Sequence, residues 1–325
     1  MSRIAFLMPT LNAQTYLVEA IGSLLRQSHA DFDLFVLDGG STDATLDICR
    51  ALQKQDGRIT ILSTPSSSPS HCINDALDNL PHEYLLIPHA DDVSVHERAA
   101  RQVAFMRQSP ELIVSGSNTH FWLHQKSGAL DINHYSGFKT CPAEHAEIRC
   151  QLPFWWSFSI PSLILNGAAA RENSLRLDDI LRVSSDWWFY WQAAQAGRVA
   201  NLQEPLISYR HHDDSDGTSQ RPLLAQEARL IRERIARAAG FWALLSPVEA
   251  AAFLAMDVES NRISAIGDRA ATEALMVCLA EWDAQSGGFE ADAWKRLITG
   301  YMRQVKWIWL QGAPFRRIAR MLTGQ

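Results

Sequence analysis

Three short polar runs close apolar stretches in the first third of the chain: Pro9-Thr10-Leu11-Asn12, Asp38-Gly39-Gly40-Ser41-Thr42-Asp43 and His89-Ala90-Asp91-Asp92. Neighbouring carboxylates such as Asp91 and Asp92 suit a hard divalent cation, which takes oxygen ligands and bridges phosphate oxygens. A cation so placed neutralises charge developing on a leaving diphosphate. Taken alone, the same pair also reads as a solvated turn capping a helix that starts near Val95. The Gly39-Gly40 pair makes a tight turn but lacks dinucleotide-fold spacing, and there is no GxxxxGK[ST] run. The chemistry these residues point to is therefore not that of an ordinary NAD site or a P-loop.

The elements that must position these runs alternate. Ile4–Met8, Leu34–Leu37, Ile59–Leu62, Tyr84–Ile87 and Leu112–Val114 read as strands. Between them, Tyr16–Leu25, Ala44–Leu52, His71–Leu80 and Val95–Arg107 show helical spacing, and Ser63–Ser70 reads as a Ser/Pro loop. Strands alternating with helices predict a mostly parallel sheet covered on both faces. Ligands bind such sheets beyond the strand C-termini, where the three polar runs lie. The pattern weakens from Gly116 to about Pro161. A helix is predicted over Asp186–Ala196, short strands over Arg198–Leu202 and Leu206–Tyr209, and a polar loop over His211–Gln220. From Pro222 onward helix formers dominate, over Leu223–Ala239, Pro247–Met256, Asp268–Asp283 and Ala291–Leu310. The predicted division is a catalytic α/β domain over 1–218 and a helical C-terminal extension over 219–325.

At 325 residues and 47% hydrophobic content the chain can bury a substantial core, and its net charge of -6 gives no reason to expect nucleic acid. Cys49, Cys72, Cys141, Cys150 and Cys278 form no CxxC pair and no zinc spacing, which favours buried free thiols in a reducing compartment. The opening apolar run is too short for a signal peptide, and no apolar run approaches the ~20 residues that cross a bilayer. A cytoplasmic protein is expected.

With these motifs in order, the chain resembles the inverting family 2 glycosyltransferases of the GT-A fold, across roughly residues 3–215. Pro9-Thr10-Leu11-Asn12 matches that family's P-T-x-N start. Gln27 ends the first helix as in its S-x-x-x-Q segment. Leu37 to Thr45 matches its strand–turn–helix signature, and Ile87 to Asp92 falls where it has a D-x-D type metal motif. The resemblance implies a nucleotide-diphospho-sugar transferase fold in which Pro9, Thr10 and Asn12 line the nucleotide pocket and Asp38 bonds the base. Ser41 and Asp43 more naturally cap the next helix. Asp91 approaches the ribose or diphosphate, and Asp91 or Asp92 holds Mn2+ or Mg2+. One position departs from the family: His89 stands where its first acidic residue would be. Imidazole ligates Mn2+ and serves Mg2+ poorly, so His89 is either a ligand or a nucleotide contact.

An inverting transfer needs a base for the acceptor hydroxyl. Asp186 matches the aspartate that opens the family's aromatic-rich helix; its rival role is a helix N-cap. Asp178 and Asp179 read as loop. Arg210, with His211 and His212, is expected to compensate the diphosphate or reach the metal; a solvated loop is the alternative. Most of the tryptophans among 155, 156, 187, 188 and 191 read as core, with Trp155 or Trp156 the better acceptor contact. The basic, Trp-rich run from Arg303 to Leu322 suits an anionic membrane surface or packing on the catalytic domain or a second subunit. The implied activity moves a sugar from a nucleoside-diphosphate donor to a glycan or lipid-linked sugar acceptor, in bacterial cell-surface polysaccharide or lipopolysaccharide assembly. Its rivals are a nucleotidyltransferase, which would need a glycine-rich basic triphosphate loop near the first strand, and a non-catalytic nucleotide-sugar or glycan-binding scaffold.

Overall fold

The structure is a computed structural model, and it describes residues 4–63, 68–123, 137–154, 156–212 and 219–254. Trp155, the Ser/Pro run at 64–67, the acidic run at 213–217, Cys278, the two helices expected beyond residue 267 and the basic C-terminal run lie outside the described residues. Two compact units emerge, one joining Met1–Glu144 with Ser157–Ser219, the other joining His145–Trp156 with the chain from Gln220 on.

In the first unit, β1 (Ile4–Thr10) is a near-continuous apolar run and is buried almost throughout, as a central parallel strand requires. It pairs in parallel with β2 (Phe32–Asp38) and with β4 (Tyr84–Ile87), and β2 pairs in parallel with β3 (Ile59–Ser63). The connecting helices are α1 (Leu17–Leu25), α2 (Thr45–Gln53) and α3 (Pro69–Asn79). Pro69 takes the first helical position of α3, where its missing N–H is no loss, and Ser68 caps it by accepting the His71 N–H. Right-handed crossovers place α1 and α2 on one face and α3 on the other, because the path reverses direction between β3 and β4. The switch point therefore lies between β1 and β4.

Beyond β4 the sheet is mixed, in the order β3-β2-β1-β4-β8-β6-β9-β5. The two-residue strand β5 (Val93–Ser94) precedes α4 (Arg98–Gln108), so this helix starts three residues later than its sequence pattern suggested. Strand β6 (Leu112–Leu123) runs far past Val114, and β7 (Gly137–Lys139) pairs with its outer end. Strand β8 (Leu163–Asn166) inserts antiparallel between β4 and β6. Its apolar core of Leu163-Ile164-Leu165 is too short to have stood out as periodic, and the six-residue helix α6 (Gly167–Glu172) follows at once, capped by Asn166. Residues 198–211 form one strand, β9, rather than two. It slips register opposite Ser117–Thr119, where Pro205, which lacks an N–H, faces Asn118. Strands β6 and β9 run parallel to β1 and β4, so their C-terminal ends share one edge with the three polar runs. Helix α7 (Ser185–Ala196) packs against β6 and β9.

The core on the α1 side gathers Phe6, Met8, Leu17, Ile21, Phe32, Val36, Leu86 and Val103, with Phe6 and Phe32 in edge-to-face contact at 5.2 Å. Each such side chain, taken fully from water, stabilises by roughly 1.5–3 kcal/mol. The four described cysteines are free and buried, and burial pushes the Cys49 thiol up to about 11.

In the second unit, α5 (His145–Gln151) precedes α8 (Arg221–Ala239) and α9 (Pro247–Leu254). Arg232 donates to the Phe154 carbonyl, and Phe253 meets the rings of Phe154 and Phe241. No helix among the described residues is long and apolar enough to cross a membrane.

Candidate active site

The ends of β1 and β2 form a closed polar seam. Thr10 and Asp38 are register partners, and the Thr10 carbonyl accepts the Gly39 N–H at 3.0 Å. Asp38 is 1% exposed, and its carboxylate accepts the N–H groups of Gly40 and Ser41 at 3.1 and 3.2 Å. Gly40 has φ 99°, which glycine adopts without penalty. A carboxylate has about four acceptor positions, so Asp38 keeps capacity for a further N–H donor. Asn12, exposed and left-handed at φ 49°, accepts the Thr42 N–H at 2.9 Å, and its own N–H bonds Ser41 Oγ at 3.0 Å. Thr45 Oγ1 accepts from Ala13, Asp43 from Gln14, and Gln14 Oε1 from Ala44. Asp43 also accepts the Thr45 N–H as α2 begins, whereas Ser41 serves Asn12 rather than the helix. Slight burial pushes the Asp43 carboxyl up, but the bonds from Thr45 and Gln14 outweigh it and hold the group below the usual carboxylate range. Pro9, half-buried, is the register partner of Leu37 beside this seam.

The carboxylate turn is built differently. After β4, Pro88 to Asp92 leads into β5, whose Val93 and Ser94 pair antiparallel with Ser208 and Ile207 of β9. That pairing brings together residues more than a hundred positions apart. Asp92 Oδ1 accepts the Arg210 N–H at 2.8 Å, Arg210 Nε donates to the Asp91 carbonyl at 2.9 Å, and His212 Nε2 lies 3.0 Å from Asp91 Oδ2. Arg210 is 3% exposed. Its guanidinium also donates to Glu19 at 2.6 Å and lies 4.5 Å over the Tyr16 ring, which in turn sits 5.0 Å from the His212 ring. In this arrangement Arg210 braces the turn from behind.

The two carboxyls sit in contrasting fields. Burial pushes Asp91 up, but the His212 hydrogen bond and the charges of His89 and His212 outweigh it, leaving the group below its ordinary range. Burial and the Asp91 charge hold Asp92 well above it, against the Arg210 N–H and the charges of Arg210 and Arg98. Asp92 is 5% exposed, and its Oδ2 has no hydrogen-bond partner; His89 Nδ1 lies 3.8 Å away. His89, Asp91 and Asp92 each offer a ligand atom within 4.8 Å of the others. One imidazole and two carboxylates, one of them with an orphaned buried oxygen, fit a divalent cation, and the mixed donor set suits Mn2+ better than Mg2+.

Asp186 lies in the first turn of α7 and is half-buried; the helix starts at Ser185 with Ser184 as N-cap residue, so Asp186 is not the cap. Burial first, then the neighbouring Asp186 charge, raises the Tyr190 hydroxyl well above its ordinary range. Trp187 and Trp191 are core, whereas Trp188 and Trp156 are partly exposed. Asp178 accepts the Ile180 N–H and Asp179 accepts from Asn74, both within a loop. His211 turns away from the carboxylate turn to meet the rings of Phe121 and Tyr209.

The structure thus gathers His89, Asp91, Asp92 and Arg210 in one group and Pro9, Thr10, Asn12 and Asp38 in another at the neighbouring strand ends. Sequence reasoning missed Tyr16 and Glu19. The four-residue step from Glu19 to Ser23 and again to Gln27 was the available signal, since it marks one polar line on an otherwise apolar helix.

Residues 5–154 match the model of the family described as glycosyl transferase family 2. The chain is similar to an uncharacterized glycosyltransferase of Haemophilus influenzae, 24% identical over 204 residues that make up 62% of this chain and 63% of that protein. It is also similar to a PGL/p-HBAD biosynthesis glycosyltransferase of Mycobacterium bovis, 33% identical over 40% of this chain and 52% of the relative. The chain spans less than two thirds of the length of these curated relatives. Among solved structures, the mannosyltransferase PcManGT from Pyrobaculum calidifontis, in complex with GDP-Man and Mn2+, superposes with a TM-score of 0.56 at 16% identity, over 99% of this chain and 84% of that one. That likeness is one of fold.

Proposed function

We propose, from the premise that residues 5–154 belong to glycosyl transferase family 2, that this protein transfers a sugar from a nucleoside-diphosphate donor to an acceptor hydroxyl with inversion at the anomeric carbon. The observation that carries the reading is the orphaned, buried Oδ2 of Asp92, beside Asp91 and His89 at the switch point of the sheet. Ligands in sheets of this kind bind at that crevice.

Pro9, Thr10, Asn12 and Asp38 form the nucleotide side, with Asp38 accepting an N–H of the base. Asp91 and Asp92, with His89 as third ligand, hold the cation. When bound, Mn2+ or Mg2+ neutralises charge at the leaving diphosphate. Arg210 keeps the turn in place. The acceptor oxygen attacks the anomeric carbon from the side opposite the diphosphate. A new C–O bond forms as the bond to the phosphate oxygen breaks, the electron pair leaves with the diphosphate, and Asp186 takes the hydroxyl proton. General-base help of this kind is worth about 10²–10⁴-fold. The Mycobacterium bovis relative is named for PGL/p-HBAD biosynthesis, and a surface glycan or lipid-linked sugar is the acceptor class we propose here.

The test is a donor screen with the full chain, a panel of nucleoside-diphosphate sugars, Mn2+ or Mg2+, and detection of released diphosphate or of transfer. Release with one donor supports the reading. With acceptor present, Asp186→Asn should then lower transfer about 10²–10⁴-fold and leave donor affinity within about twofold. A second reading, a sugar-nucleotide-binding scaffold, takes its support from His89 at the first acidic position. Binding without hydrolysis or transfer across an acceptor panel would favour it, and no binding to any donor would sink both.

A further inference from the structure

Glu19, Ser23 and Gln27 step along α1 and just beyond it four residues at a time, so they form one polar stripe. Ser23 and Gln27 reach the segment that follows the carboxylate turn, and Glu19 reaches Arg210 of β9, which pairs with that segment. Ser23 Oγ accepts the Ser94 N–H at 3.1 Å. Gln27 accepts the Ala99 N–H at 2.9 Å and donates to the Val95 carbonyl at 2.7 Å. These two are buried and hold backbone. They explain why a serine and a glutamine sit four apart on an otherwise apolar face.

Glu19 does something else. Its side chain is half exposed, and its partner is a charge, the buried guanidinium of Arg210. A buried cation that loses its counter-ion seeks another. The carboxylates it would turn to are Asp91 and Asp92, since Arg210 already touches the first through its carbonyl and the second through its backbone N–H. Those oxygens are the ones a metal ion needs.

We infer that Glu19 is a positioning residue for the cation site: it holds the Arg210 guanidinium off the Asp91 and Asp92 carboxylates and so leaves their oxygens open. The inference rests on the cation-binding part of the reading above and assigns a role to a residue that touches neither donor nor metal.

The test is Mn2+ titrated into the metal-free full chain, with free Mn2+ followed by electron paramagnetic resonance and folding by circular dichroism. Glu19→Ala should weaken Mn2+ binding about tenfold, within the range of couplings between residues that share one charge network, and Glu19→Asp should restore part of the loss. The decisive comparison is Glu19→Ala made in an Arg210→Met background, where the lost brace lowers affinity in both members of the pair. With the competing guanidinium gone, Glu19→Ala should change Mn2+ affinity by no more than about threefold, a loss of effect that a merely structural role of Glu19 does not predict. Should Glu19→Ala not fold, Glu19→Gln with and without Arg210→Met makes the same comparison. Unchanged affinity in the single variant, or an equal loss on Glu19→Ala with and without Arg210→Met, overturns the inference while leaving the proposed function standing. A wild type that binds no Mn2+ overturns both.

Discussion

The two polar groups at the edge of the sheet are built on opposite terms. At the ends of β1 and β2, the backbone N–H groups of residues 12–14, 40–42, 44 and 45 find side-chain acceptors within the same two loops. The seam is satisfied without help, and it closes over some thirty residues of chain. At the end of β4, by contrast, two carboxyls are packed against each other under partial or near-complete burial, and one oxygen has no hydrogen-bond partner. That turn is closed by β9, more than a hundred residues away. The difference separates a loop pair that holds its own shape from a turn that does not. A buried polar group without a partner costs about 1–3 kcal/mol, and more when charged, so it persists where something else satisfies it.

The contrast can be broken most sharply by Asp91→Ala. On this account diphosphate release falls about 100-fold or more, as when a main stabiliser of developing charge is removed, while the melting temperature moves little. A large loss of stability with activity intact would reverse the two assignments. Asp38→Ala should weaken donor binding and, unlike Asp91→Ala, should also cost stability. It removes a charged acceptor from two backbone N–H groups in a buried turn, and denaturant unfolding should register a cost of about 1.5–3 kcal/mol. Asn12 probes the seam more gently. Asn12→Ala loses the bond to Thr42 and forces alanine to φ near 49°, at a cost of about 1–2 kcal/mol, whereas Asn12→Gly keeps the backbone relaxed and should cost less.

The smallest effect concerns pH. The Asp43 carboxyl is depressed below its ordinary 3.8 in the fold. Its contribution is therefore present above that value and lost as pH falls through the lower folded one. Asp43→Asn should flatten the acid limb of a melting-temperature profile below about pH 4. Asp92 carries the opposite sign. Its carboxyl is raised, so its favourable term exists below the ordinary value and disappears as pH rises through the folded one.

The satisfied seam was largely legible in the sequence. Its strands are uninterrupted apolar runs, and its turn residues follow at once. The strand–helix alternation read from residues 4–112 corresponds to elements of the structure, with most ends shifted by one to three positions. The carboxylate turn was legible only in part. Asp91, Asp92 and His89 stand together in the chain, but what holds them does not. Strand β5 has two residues, too few for a period, and it displaced the expected helix start from Val95 to Arg98. Strand β9 hid behind Pro205, which looked like a break and is a register slip. The donor-facing role expected for Arg210 came from the family resemblance, in which a basic segment follows the last core strands; its ties to Glu19 and Tyr16 depend on where β9 ends relative to α1, which no local pattern encodes.

The central claim, that the carboxylate turn is shaped for a cation the fold itself does not replace, is tested most directly with Asp92→Asn. Calorimetric titration of Mn2+ in the presence of a nucleoside diphosphate should show one saturable site in the wild type and none in the variant. The metal-free variant should melt no lower than the wild type at pH 7, since the substitution removes a carboxyl whose charged form is costly in this buried turn and its amide oxygen can keep the Arg210 N–H. A variant that binds Mn2+ as the wild type does, or a wild type that binds none, would contradict the account.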